Sequence, residues 1–221
     1  LIGLPLDQVN EEMETYGETL RKLGDKTNLN IHNIFHQAIA NLRGKSSEPC
    51  QLAGELFNEA EELAELEQNK DFAAVFLVYL NKQMLCYYLG DTIEAIKWSE
   101  KAKSHILEVP GHYWLQLNQL YDSLSRVQEY RSANKSQQKK YLKQINNNQA
   151  KLIKSANQAP NNHLHKYYLV EAEKAQILGQ PAEAMEYYSK SIKGAKENEF
   201  LQEEALANEL AGQFYLNIGY E

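Results

Sequence analysis

Two stretches of this chain carry the same helix–glycine–helix pattern, and this repetition limits the fold more than any other feature. LGDTIEAIKWSEKA begins at Leu89, and LGQPAEAMEYYSKS begins at Leu178. In both copies a long apolar segment precedes the glycine, and Glu-Ala follows it at the same offset, as Glu94-Ala95 and Glu183-Ala184. Units of this kind predict an array of helix pairs in which each pair packs on its neighbours.

The turn between the two helices has the residues that helix ends require. Gly90 and Gly179 suit the left-handed position after a helix, where a Cβ is disfavoured. Asp91 is placed to cap the next helix, and Glu94 three residues later would complete a capping box. Pro181 fits the first turn of its helix, where the missing N–H has no intrahelical partner to lose.

Small residues mark where the antiparallel helices should approach each other. Ala95 and Ala184 stand five residues after the turn glycine of each copy, and Gly212 is expected to be the matching small residue of the last helix. The pattern resembles the tetratricopeptide repeat, a helix-turn-helix unit of about 34 residues. Tyr188 fits the aromatic position of that family, whereas Ser99 departs from it.

The remainder of the chain is also predicted to be helical. Prolines fall at expected helix boundaries, and no useful run alternates with the period of a strand. Helices are expected over 7–23, 25–42, 58–68, 71–89, 92–107, from Pro110 onward, and over 141–156, with 44–56 irregular and 131–138 a loop or frayed helix start. The fold class is therefore all-α, a tetratricopeptide-like right-handed superhelix of antiparallel helix pairs. One array is expected over 1–221, less regular in 1–70 and tetratricopeptide-like in 71–221.

Charge and cysteine content restrict the partners and the compartment. The chain has 221 residues, a net charge of −7 and a pI near 5.5, which argues against nucleic acid as a partner. Cys50 and Cys86 form no CxxC pair, and they suggest buried thiols in a reducing compartment, with a disulfide as the lesser alternative. The most apolar stretch, 72–80, is too short to span a bilayer. We expect a cytoplasmic protein without membrane contact.

No motif for catalysis or for a cofactor emerges from the sequence. Gly44-Lys45-Ser46 lacks the earlier glycine and the preceding strand of a phosphate-binding loop. His32 and His36 are four residues apart on one helix and could present two imidazoles to a metal, but the glutamate of HExxH is absent. We expect no cofactor and no enzyme activity in this chain, with a His32/His36 metal protein as a rival hypothesis.

Two charged segments have alternative interpretations. An acidic run is more typical of a solvated helix face than of paired catalytic carboxylates; it comprises Glu59, Glu61, Glu62, Glu65 and Glu67. A cationic run without any acid could bind phosphates or an acidic partner, or it could be a solvated helix that pairs with acidic neighbours. Its members are Arg131, Lys135, Lys139, Lys140, Lys143, Lys151 and Lys154.

The chain is also similar to a narrower group, the helical region of large bacterial multidomain signalling kinases of the cyanobacterial type. The similar segments are PLDQVNEEMETYGETLRKL, PCQLAGELFNEA, and LHKYYLVEAEKAQILGQPAEAMEYYSKSIKGAKENEFLQEEALANELAGQFYL. Such proteins join a serine/threonine-kinase-like domain, an ATPase, this helical region, a GAF sensor and a histidine kinase. The resemblance implies a scaffold segment of a longer chain, with the kinase domains outside it.

The repeat register predicts a polar groove along the first helix of each unit. Its expected members are Lys166, Leu169, Glu173, Gln176, Glu209 and Gln213. Mixed charges and amides suit a peptide that is held by side-chain hydrogen bonds. The occupant would be a protein partner or a flanking domain of the same chain, and a small-molecule ligand is the alternative.

Overall fold

The computed structural model describes residues 3–109 and 113–219, and every regular element within those ranges is a helix. The helices are α1 (Leu6–Leu23), α2 (Lys26–Leu42), α3 (Glu59–Gln68), α4 (Phe72–Tyr88), α5 (Thr92–Lys103), a 3-10 turn (Ile106–Glu108), α6 (Trp114–Tyr130), α7 (Lys135–Gln158), α8 (Pro160–Ile177), α9 (Pro181–Glu197) and α10 (Leu201–Asn217). The prediction of an all-α chain is confirmed. None of the described helices combines the length and the apolar character needed to cross a membrane.

The helices form two compact units, Leu4–Tyr121 and Asp122–Glu221, with Gly3 assigned to the second. In the first unit α4 packs against α2, α3 and α5. Almost every side chain of α4 is buried, as its apolar sequence predicts, and its few polar groups are satisfied. Gln83, for example, donates to the carbonyl of Asn118 at 3.0 Å and accepts from the Asn118 amide at 2.7 Å.

In the second unit consecutive helices from α7 to α10 pack on one another, and α8 also contacts α10. α9 lies close to α8 at Gly194, where an added Cβ would lie 3.3 Å from Cβ of His165. The Ser191 hydroxyl, one turn earlier, donates to the His165 carbonyl at 2.8 Å. The missing side chain of Gly194 thus lets α9 lie close to α8, and the hydrogen bond from Ser191 links the two helices.

The two repeat turns have the geometry that their glycines predict. Gly90 has φ of +84° and Gly179 has φ of +72°, both in the left-handed region. The Asp91 carboxylate accepts from the backbone N–H of Glu94 at 3.1 Å and caps α5. The second half of the expected capping box is not formed, because the Glu94 carboxylate binds Lys97 instead.

The small residues expected at helix contacts differ in burial. Ala95 and Ala184 are fully buried, and Pro181 is the first residue of α9. Gly212 is exposed, and a Cβ added there would meet nothing within 4 Å. The expectation for Gly212 was wrong because the preceding residue, Ala211, is the one that turns inward.

Several helix bounds differ from those that the sequence predicts. α7 already begins at Lys135, because the Asn134 side chain accepts from the N–H of Gln137 at 3.0 Å and caps it. The second half of 131–138 is thus the start of a helix, one of the two predicted alternatives, and the first half is a turn. α5 ends at Lys103, and the 3-10 turn follows it. The expected helix start at Pro110 lies outside the described residues.

The segment 44–56 is irregular, as predicted, but hydrogen bonds attach it to α2 and α3. The Asn41 side chain donates to the Pro49 carbonyl at 3.0 Å, and the N–H of Leu52 donates to Glu59 at 3.0 Å. Leu52 and Phe57 are buried in the core. Both cysteines are free thiols, and burial raises the pKa of Cys86.

Candidate functional site

The second unit contains a half-open cavity of about 380 Å³ to which three alternate helices contribute. Its lining comprises Val127, Gln128 and Arg131 at the end of α6, Glu173, Gln176 and Ile177 of α8, and Leu210, Gln213 and Asn217 of α10. Each group of three includes residues three or four positions apart, such as Val127 and Arg131, Glu173 and Gln176, and Gln213 and Asn217, so each helix contributes one face. α7 and α9 contribute no side chain to it.

The cavity combines apolar side chains with hydrogen-bonding groups. Val127, Ile177 and Leu210 are apolar, and they lie beside four amide side chains and the guanidinium of Arg131. Each amide can donate and accept hydrogen bonds, whereas Arg131 can only donate. The site can therefore pair both the N–H and the C=O of a bound molecule and can also accommodate an anion.

A second cavity, of about 410 Å³, adjoins the first and shares Arg131, Gln176 and Asn217 with it. Phe214 and Pro181 are among its other lining residues, so this end of the groove is more apolar. The two cavities together form a continuous groove, with polar groups concentrated at one end. We call this pair of cavities the α6–α8–α10 groove.

Glu173 is the most perturbed group in the groove. Its side chain is only 5% exposed, and the Tyr188 hydroxyl of α9 donates to its carboxylate. Burial raises the pKa of Glu173 to about 7, although the Tyr188 hydrogen bond and the charge of Arg131 both oppose the rise. Near neutral pH this group is therefore divided between a carboxylate, which accepts only, and a carboxylic acid, which can also donate.

Comparison with known proteins gives no guide to the family. No family model, no curated protein and no solved structure matches this chain. The function must therefore be argued from the geometry of the site.

Three of the six residues expected in the groove line the same cavity, namely Glu173, Gln176 and Gln213. Glu209 is exposed on α10, and its carboxylate accepts a long hydrogen bond of 3.4 Å from the Gln213 amide. Leu169 is buried in the core. A ligand in the cavity would thus reach the part of α8 that begins at Glu173.

Lys166, the sixth expected residue, is fully buried and does not line either cavity. Its ammonium lies 3.2 Å from a carboxylate oxygen of Glu203 and 4.3 Å from the ring centre of Phe200. It also contacts the carbonyl of Asn162 at 3.0 Å and Nε2 of His165 at 2.9 Å. Burial lowers the pKa of Lys166 to about 8, while Glu203 opposes that change. Lys166 therefore has a structural role between α8 and α10.

Sequence reasoning missed six of the nine residues that line the first cavity, among them the polar Gln128, Arg131 and Asn217. Arg131 follows the last residue of α6, in the segment that the sequence predicted to be a loop or a frayed helix start. Its spacing of four from Val127, an apolar residue of the α6 stripe, was the available signal. Asn217 stands four residues after Gln213, so the α10 register could have included it.

Two further candidate sites from the sequence are the His32/His36 pair and the segment Gly44-Lys45-Ser46. The rings of His32 and His36 are 5.5 Å apart, and Nε2 of His36 lies 3.2 Å from the Asn10 side-chain oxygen. Among the described residues, no three His, Cys, Asp or Glu side chains are grouped as metal ligands would be. Gly44 follows α2 with φ of +73°, so Gly44-Lys45-Ser46 is a helix end rather than a strand-to-helix loop.

The acidic run of α3 is partly used within the fold. Glu59 forms an ion pair with the buried Lys82, and Glu62 accepts from the N–H of Asn58 at 2.8 Å. Glu61 and Glu65 are exposed. These carboxylates stabilise the fold or face solvent.

Proposed function

We propose that this chain is a non-catalytic helical-repeat module that binds an extended protein segment in the α6–α8–α10 groove. The observation that carries the proposal is the contribution of three alternate helices to one groove. In arrays of stacked helix pairs, the first helix of each pair lines an inner surface that receives ligands. α6, α8 and α10 would be those first helices in a tetratricopeptide-like arrangement.

The lining suits a polypeptide. Backbone groups of an extended segment alternate donors and acceptors, and the amides of Gln176, Gln213 and Asn217 can satisfy both kinds. Arg131 would bind a carbonyl or a carboxylate of the segment. The apolar end beside Pro181 and Phe214 would receive an apolar side chain.

The biological setting rests on the sequence resemblance. We propose that the module is a cytoplasmic segment of a multidomain signalling kinase of the two-component type. The bound segment would belong to a flanking domain of the same chain or to a protein partner. In either case the module would transmit contacts between domains rather than carry out chemistry.

Peptide binding in the groove can be tested with a substitution whose larger side chain fills the groove. Peptides selected from a random dodecapeptide display library with the wild-type protein would be assayed for binding by calorimetry. Gln213→Trp should abolish binding of the selected peptides, because the indole would occupy the cavity. Gln158→Trp is the matched control, since Gln158 is also an exposed glutamine but does not line the cavity. Equal affinity of the two variants would exclude the groove as the peptide site.

A small-molecule ligand is the second candidate function. The cavity of about 380 Å³ is within the size range of small-ligand sites, and the buried Glu173 could supply a directional contact. A metabolite that raises the melting temperature of the wild type and of Gln158→Trp, but not of Gln213→Trp, would favour this alternative. A metabolite screen without such a compound, together with peptide binding, would favour the first.

A further inference from the structure

The exposed face of α7 carries six lysines and no acidic residue. They are Lys135, Lys139, Lys140, Lys143, Lys151 and Lys154, and all six are exposed. With 3.6 residues per turn, they fall within an arc of about 160° along about 28 Å of helix. No Asp or Glu stands between Glu129 and Glu171 in the sequence. α7 therefore presents a long cationic stripe, which we call the α7 lysine face.

The fold does not neutralise this face. None of the six lysines has an ion pair, a ring contact or another electrostatic partner among the described residues. Lysines on neighbouring helices are paired, as Lys174 is with Glu171 at 2.7 Å and Lys193 is with Glu197 at 3.8 Å. For these six lysines, the expected pairing with acidic neighbouring helices is thus absent from the described part of the chain, whereas Arg131, the other member of the cationic run, acts electrostatically on Glu173 of α8.

The arrangement is also unfavourable for α7 itself. Lys135, Lys139 and Lys143 follow one another at intervals of four, so like charges are adjacent on the helix surface. Lys135 is the first residue of α7, where the helix dipole favours an acid and disfavours a cation. A contact with a molecule outside the fold would explain a stripe that weakens its own helix and has no ion pair among the described residues.

We propose that the α7 lysine face binds an acidic segment of a partner protein. Charge complementarity requires an anion, and the choice among anions follows from the residue types. The face has no arginine for bidentate phosphate contacts and no aromatic side chain for stacking on bases. The net charge of −7 would also repel a long polyanion such as nucleic acid, whereas a short acidic segment can stay on the stripe. Asn146 and Asn147, exposed on the same face, can add hydrogen bonds to carboxylates.

The test compares a fluorescent oligoglutamate peptide of about 20 residues with a single-stranded oligonucleotide of similar net charge, by anisotropy at increasing NaCl concentration. The wild type should bind the peptide at low salt, and the affinity should fall steeply as salt is added. Lys139→Glu/Lys143→Glu should weaken binding by about tenfold or more, because it replaces attraction by repulsion at the centre of the stripe.

Lys193→Glu/Lys196→Glu is the matched control, since it changes the net charge equally on the exposed surface of α9. It should alter the affinity by less than about threefold. Circular dichroism melting would verify that both variants are folded. Equal loss in the two variants, tighter binding of the oligonucleotide than of the peptide, or no peptide binding at low salt would each overturn the proposal.

Discussion

The ammonium of Lys166 on α8 lies 3.2 Å from the carboxylate of Glu203 on α10, and both side chains are buried. The ring of Phe200 covers the ammonium at 4.3 Å. A buried pair of this kind stabilises the fold little in total, because both charges have lost their hydration. It fixes the contact between the two helices instead, because either charge left alone in that position is costly.

Removal of one partner of this pair should destabilise the protein strongly. Glu203→Leu leaves the Lys166 ammonium buried and unpaired, which should cost about 3–5 kcal/mol in the free energy of unfolding. Lys166→Met/Glu203→Leu should recover most of that loss, because no unpaired charge remains at this contact between α8 and α10. Urea denaturation monitored by circular dichroism measures both, and Lys190→Met, at an exposed pair, is the control. If the double variant were no more stable than Glu203→Leu, the charge argument would fail.

The raised pKa of Glu173 should make stability depend on pH. Above the ordinary pKa of a glutamate the unfolded chain releases this proton, while the folded protein retains it up to a pKa of about 7. As pH rises from about 4.5 to about 7, the unfolded state therefore becomes more favourable relative to the folded state, and this residue lowers the free energy of unfolding across that window by about 3 kcal/mol.

Glu173→Gln should remove this dependence. Between pH 5 and pH 7 the wild type should lose stability relative to Glu173→Gln, whereas Glu209→Gln, at an exposed position, should follow the wild type. Urea midpoints at several pH values across the window provide the measurement. Parallel pH profiles for the wild type and Glu173→Gln would show that the carboxyl is not held protonated by the fold.

Gly212 and Gly179 should respond to alanine in opposite directions. Gly212 is in the interior of α10 and has open space beside it, so Gly212→Ala should stabilise the protein by about 0.5–1 kcal/mol. Gly179 has φ of +72°, where a Cβ is strained, so Gly179→Ala should destabilise it by about 1 kcal/mol. Thermal melting distinguishes the two. A stabilising Gly179→Ala would contradict the left-handed turn between α8 and α9.

Overpacking at Ala184 should be more damaging than either glycine change. Ala184 is fully buried in α9, and the indole of Ala184→Trp would have to displace its neighbours. We expect a loss of about 1–3 kcal/mol or more. Met185→Trp, next to it at a half-buried position, is the control. Urea midpoints that are equal for the two variants would show that α9 does not make its close contact through Ala184.

Most helices could be predicted from the sequence because their signals are local. The glycine turns and the apolar stripes depend on residues within one or two turns of each other, and they were found at Gly90 and Gly179. The start of α7 was missed because Asn134 was not recognised as a cap in a polar segment. Gly212 was assigned inward because the register of the last helix was displaced by one residue from Ala211.

The sequence by itself determined the all-α fold, the spacing of its turns and the shared face of Lys166, Glu173 and Gln176 on α8. Only the tertiary structure decided which parts of that face are open. At the start of α10, Phe200 and Glu203 cover Lys166, whereas towards its end Gln213 and Asn217 line a cavity beside Glu173. Helical periodicity specifies the direction in which a side chain points, but the packing of a helix distant in sequence determines whether it meets solvent or a partner.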